Sequence, residues 1–268
     1  MDVDVRYPRL SSLAQLHRKT LKNIGENAIP KHGTYLGFGE CCYQVLHDYP
    51  RWGDCDVYNY LHTLDEFVSR IPANTPTRRK LWDKITDCGN AFLNAVVEAA
   101  WALYFWDNGY LQVCLEVPFD PSGLKSEKDA DVVVTIDGMK HWLDATSIQP
   151  SESEFPPMPQ GISFGPIEIP EEVITKLADK AREKYQDKFE EAVHSGFFKD
   201  EVLGVLLCVL KFEKQVDFLT EFNLSLPPPK GLLDNEKPGL NLVWVHTLRA
   251  SRDSDILRPS TIAKWSTT

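Results

Sequence analysis

Three acids stand where apolar residues would be easier to bury: Glu98 in the stretch NAVVEAAWALYFWDNGY, Asp131 at the mouth of the run VVV, and Asp144 inside KHWLDATS. An unpaired buried carboxylate is too costly to keep ionised, so an acid in an apolar element calls for a cationic partner or a metal. Three oxygen-bearing side chains meeting in a cleft are what a hard cation such as Mg²⁺ requires. Such an ion can polarise a phosphodiester and activate a water for attack.

The elements around these acids must bring them together. Thr75 followed by Pro76 is a helix cap with proline at the first helical position, and one long helix is expected from there to about Asp107. Leu81, Ile85, Cys88, Phe92, Ala95, Ala99, Leu103 and Trp106 form its apolar stripe, Gly109 stops it, and Glu98 falls on the flank beside Asn94. The period then changes to that of strands over 110–117, 131–136 and 140–148, with Asp137-Gly138 as a hairpin turn between the last two. Alternation sets Trp142, Asp144 and Thr146 on one face and His141, Leu143 and Ala145 on the other. The hairpin makes the two strands neighbours, so Asp131 and Asp144 converge at one end of a sheet, and the preceding helix can bring Glu98 to them.

Beyond this stretch, the proline-rich segment 147–170 reads as a long loop of the kind used as a lid or left disordered. A helix is expected from about Glu171 to Ser195, with Ile174, Leu177, Ala178, Ala181, Tyr185, Phe189 and Val193 on its buried face. The apolar run 202–210 reads as a central strand covered on both faces, 240–248 as a last strand, and the tail from Arg249 as loosely ordered. Before the long helix, helices are expected from Ser11 to about Asn23 and from Val57 to Arg70, and the glycine-rich segment 29–40 reads as turns. The domains expected are a helical region over 1–75 and an α/β domain over 76–268. Cys42, His47, Cys55 and His62 match no common zinc spacing and read as core residues.

The pattern Glu98, then Asp131-Val-Val-Val, then Leu-Asp144-Ala-Thr146 resembles the PD-(D/E)xK, or restriction-endonuclease-like, nuclease superfamily over roughly residues 90–215. The resemblance implies a mixed β-sheet flanked by helices. It also implies that Glu98, Asp131 and Asp144 bind Mg²⁺ or Mn²⁺, and that a lysine two residues after the second acid orients the attacking water. Two positions depart from the pattern: Ala130 replaces the proline, and Thr146 stands where the lysine should be, bringing a hydroxyl but no positive charge. Some members supply the lysine from the following helix, where Lys180 and Lys184 flank the apolar stripe and Lys176 points nearer to solvent. The implied activity is that of a divalent-metal-dependent endonuclease, a hydrolase acting on DNA phosphodiesters. The alternative is the same fold without activity, binding nucleic acid or a protein partner in a larger assembly.

Each residue also has a plain structural reading: Glu98 as a solvated helix acid, Asp131 as a strand-start residue, Asp144 as half of an ion pair, Lys180 and Lys184 as members of i,i+4 pairs. Composition narrows the partners. A net charge of −10 argues against holding nucleic acid by bulk electrostatics, so DNA must be met through a local patch. The longest apolar runs fall short of the ~20 residues a membrane helix needs. The N-terminus has no signal-peptide pattern, and the six cysteines form no CxxC pair, so an intracellular, cytoplasmic protein with no membrane partner is expected.

Overall fold

A computed structural model describes residues 2–29, 37–47, 57–72, 75–87, 90–119, 128–148, 171–209, 228–235, 238–251 and 254–267. Cys55, Cys88 and residues 149–170 of the expected loop lie outside the described residues, while Ser147 and Ile148 belong to a strand. The chain forms two compact units, one of residues 1–104 with 248–259 and one of 105–247 with 260–268. No helix among the described residues is long and apolar enough to cross a membrane.

The first unit is mostly helical: α1 (Val3–Arg6), α2 (Pro8–Leu16), α3 (Leu21–Glu26), α4 (Phe38–His47), α5 (Val57–Arg70), α6 (Pro76–Thr86) and most of α7 (Asn90–Asp107). Several sequence expectations need correction here. The helix expected over 11–23 is two helices: Arg18 takes a positive φ of 62°, Thr20 caps α3 by accepting from the Asn23 N–H, and Leu16 at the end of α2 is 64% exposed. The turn expected at Gly37-Phe38-Gly39 is the start of α4, where the Glu40 carboxylate accepts from the Gly37 N–H at 3.0 Å. The long helix from Pro76 is also two, because Asp87 is extended and the Thr86 hydroxyl turns back to the Trp82 carbonyl at 2.8 Å. α5 matches its expected bounds, and its C-terminal carbonyls Val68 and Ile71 accept from the Arg78 guanidinium. Buried Asp65 on α5 accepts from the Arg9 and Leu10 N–H groups at the start of α2. The Cys42 thiol is pushed up by burial and sits in the core as a small hydrophobe.

The described strands form one open, mixed, six-stranded sheet in the order β1 (Leu111–Pro118), β2 (Asp129–Ile136), β3 (Met139–Ile148), β4 (Val202–Val209), β5 (Leu240–Ser251), β6 (Ser254–Ser266). The protein is thus α/β. β1, β2 and β3 are antiparallel, while β3, β4 and β5 are parallel. β4 is buried along its whole length, as a run without polar alternation demands, and Gly204 lets it approach β5 closely: a Cβ there would lie 3.2 Å from the Leu242 carbonyl oxygen. The tail expected to be loose is instead β6, whose Trp265 is fully buried. An alternating strand ending in a buried tryptophan has enough apolar surface to hold an edge.

Between β3 and β4 the chain runs through α8 (Glu171–Tyr185), a π turn (Gln186–Glu190) and α9 (Glu191–His194). Leu177, Ala178 and Ala181 pack with Val205, Leu207 and Val243, whereas Phe189 and Ala192 pack with Phe119, Val133, Trp142 and Leu203. One helical segment therefore serves two neighbouring patches of the same sheet face.

Candidate functional site

The register of β1, β2 and β3 lines up a row of acids. Asp137 and Gly138 both take positive φ, 50° and 79°, as a two-residue mirror-type hairpin turn requires, and Ile136 pairs with Met139. The pairing continues to Val132 opposite Leu143, which sets Asp131 across from Asp144 one step further on. On its other side Asp131 lies across from Glu116, between the pairs Leu115 with Val132 and Val117 with Ala130. Residues directly opposite one another project to the same face, so Glu116, Asp131 and Asp144 share one surface of the sheet. A carboxylate oxygen of Glu116 lies within 4.8 Å of one of Asp131.

The cation among these acids is Lys188, in the middle of the π turn. Its Nζ lies 3.0 Å from Asp144 Oδ1, 3.6 Å from Asp131 Oδ1 and 3.7 Å from Asp129 Oδ1. The second oxygen of Asp131 accepts the buried Ala145 N–H at 2.8 Å, which fixes the direction of that carboxylate. Burial pushes the Asp144 carboxyl up to about 7, repulsion from Asp131 adds to this, and the ammonium of Lys188 and then Lys184 pull against it. For Lys188 burial works to lower the ammonium, but Asp131, Asp144 and Asp129 outweigh it and hold the group above its ordinary value.

Charge and donor chemistry together fit a hard cation. Asp129, Asp131 and Asp144 gather at Lys188, and Glu116 presents an oxygen within 4.8 Å of one of Asp131, so acids outnumber the ammonium that neutralises them. All are oxygen donors of the kind Mg²⁺ and Mn²⁺ take. Glu116 and Asp131 could take part in holding a metal ion.

The other expected site residues are placed as follows. Thr146 is buried on the same strand face as Asp144, in register with Leu207 on β4. Lys180 is tied by two bonds to Glu183, at 2.8 and 2.9 Å, on the exposed side of α8. Lys184 acts on Asp144 through its field. Glu98 belongs to the first unit, where it and Asn94 share the less buried side of α7 and the Lys84 Nζ donates to its Oε2 at 2.7 Å.

Lys188, Glu116 and Asp129 are functional candidates that sequence reasoning passes over. A signal existed for Lys188: it interrupts the buried stripe between Tyr185 and Phe189, where an uncompensated ammonium would be costly. Glu116 is the acid of an otherwise apolar and neutral strand, LQVCLEVP, and Asp129 shares the alternating face of Asp131. No family model, curated protein or solved structure matches the chain.

Proposed function

We propose that the protein is a divalent-metal-dependent nuclease acting on DNA phosphodiesters, built on a restriction-endonuclease-like sheet. The observation that carries this reading is the meeting of Asp131 and Asp144, from adjacent strands, at one lysine of the helix that follows. That lysine supplies the positive charge which Thr146 lacks, from the element the resemblance offers as a substitute. The antiparallel hairpins with acids on β2 and β3, followed by a helix and parallel strands, support the fold assignment.

In this reading Asp131 and Asp144 hold Mg²⁺ or Mn²⁺, with Glu116 as a further oxygen donor. Bound there, the ion would lower the pKa of a water and neutralise charge on the phosphate. Asp131, anchored by the Ala145 N–H, keeps one oxygen aimed at the site. Lys188 orients a water by hydrogen bonding and stabilises the charge that develops on the phosphoryl oxygens. Thr146 offers a hydroxyl beside Asp144. Lys184 adds positive field.

A second reading, a non-catalytic module that binds nucleic acid or protein, is favoured by the same ammonium, since Lys188 already satisfies both strand acids. Calorimetric titration with Mn²⁺ and incubation with single- and double-stranded DNA and RNA separate the two. The nuclease reading expects metal binding lost in D144A and cleavage that needs the metal, Asp144 and Lys188. A protein that binds neither Mg²⁺ nor Mn²⁺ and cleaves no nucleic acid is the non-catalytic module.

A further inference from the structure

We propose that the π turn Gln186–Glu190 is the positioning device that aims Lys188 at the strand acids. As a statement about the site's chemistry it rests on the nuclease reading; as a statement about the ion pairs it stands on geometry. In an uninterrupted α-helix, Lys188 would fall about 20° from the direction of Ala181, seven residues earlier. Ala181 is fully buried against the sheet, so a straight helix would drive the ammonium into the middle of the packed stripe. A π turn advances by only roughly 80° per residue, so Lys188 is held back by about 50° and leaves that stripe for its flank. There it meets Asp129, Asp131 and Asp144. The same delay brings Phe189 to the centre of the buried side, where it is fully buried among Phe119, Phe198 and Tyr185.

The aromatic packing holds the wide turn open. Phe189 and Ala192 engage a patch of β2, β3 and β4 that differs from the one beneath Leu177 and Ala181, and the extra residue lets one helix serve both. Lys188 is thereby fixed from both sides along the helix, instead of reaching the acids as a flexible side chain would.

The test removes the wide turn while keeping the lysine. Deleting Gln186, or separately Asp187, shortens the segment by one residue and restores an α-helical path on which the lysine lies six residues after Ala181, about 120° from its direction and turned past the acids. The readout is the coupling between Lys188 and Asp144 in urea unfolding, from the cycle of wild type, K188M, D144N and the double variant. In the parent protein the two substitutions are expected to be non-additive, and in either deletion background additive. A merely structural role for the π turn would lower stability and leave the coupling in place, and that result overturns the proposal. If neither deletion folds, the exchange D187K/K188Q in the full-length helix decides. Loss of the coupling to D144N supports a fixed aim at position 188, and retention overturns it. Absence of metal binding in the parent protein would remove the nuclease reading without touching this result, because the coupling is measured without metal or substrate.

Discussion

Replacing Lys188 by methionine keeps most of the stem and removes the charge. The Nζ is 3.0, 3.6 and 3.7 Å from oxygens of Asp144, Asp131 and Asp129, with its side chain 24% exposed. At an effective dielectric of about 20 each contact is worth roughly 5 kcal/mol before desolvation is subtracted. Breaking a buried pair by removing one partner leaves the other charge uncompensated, and the net loss is expected at about 3–5 kcal/mol. The sign with pH follows from Asp144, whose carboxyl is already raised to about 7. A raised acid favours protonation in the folded state, so its ionisation lowers stability as pH climbs from the unfolded value of ~4 and the full cost is reached above the folded value. Without the ammonium that cost grows, so K188M should be worst near pH 8 and draw closer to wild type as pH falls to 5, where protons replace the missing cation. Urea denaturation at both pH values measures this, and adding D144N to K188M should recover part of the loss at pH 8. A loss under 1 kcal/mol at pH 8, or no recovery with D144N, would refute the view that these acids are held by this lysine.

Cleavage, if the proposed activity holds, should fall by ~100-fold or more in K188A, while T146K adds little because the cationic role is already filled; initial rates on labelled DNA with Mn²⁺ show either outcome. Mn²⁺ binding followed by calorimetry should weaken sharply in D131N and D144N, whereas K180A leaves it unchanged because that lysine is engaged with Glu183. His246 is fully buried, and burial depresses its imidazole to about 3, against a weak opposing hydrogen bond from its Nδ1 to the Trp244 carbonyl. Its unfolded value is near 6.5, so the unfolded chain alone takes up the proton and His246 by itself should lower stability by about 2 kcal/mol on going from pH 6.5 to 5, opposite in sign to the contribution of Asp144 over that range. H246Q lacks the His246 contribution, so on going from pH 6.5 to 5 its urea midpoint should rise relative to that of wild type. G204A should cost ~1–3 kcal/mol in thermal or urea unfolding, since its new Cβ would meet Leu143 Cδ2 at 2.8 Å and Leu242 Cβ at 3.1 Å.

The features legible in the residues alone are local or periodic. Asp137-Gly138 specifies a mirror-type turn because both positions must take positive φ, and that turn sets the register that puts Asp131 opposite Asp144. Strand alternation put Trp142, Asp144 and Thr146 on one face, and the lack of polar alternation in 202–209 marked an interior strand. Features that depend on distance through space became visible only in the folded chain. Apolar periodicity carried the expected helices across Arg18 and Asp87, where a single backbone reversal or extension ends them. Sequence could point to the following helix as the source of a lysine and not to the right lysine, because a 3.6-residue period carried through 186–190 misplaces every side chain in a π turn. Glu116 joined the acids only through its pairing with β2, and β6 took its place only because an edge of the sheet was there to receive it. Turn chemistry and alternation are written in adjacent residues, whereas the partner of a buried charge is chosen by whichever element the packing of the whole unit brings within about 4 Å.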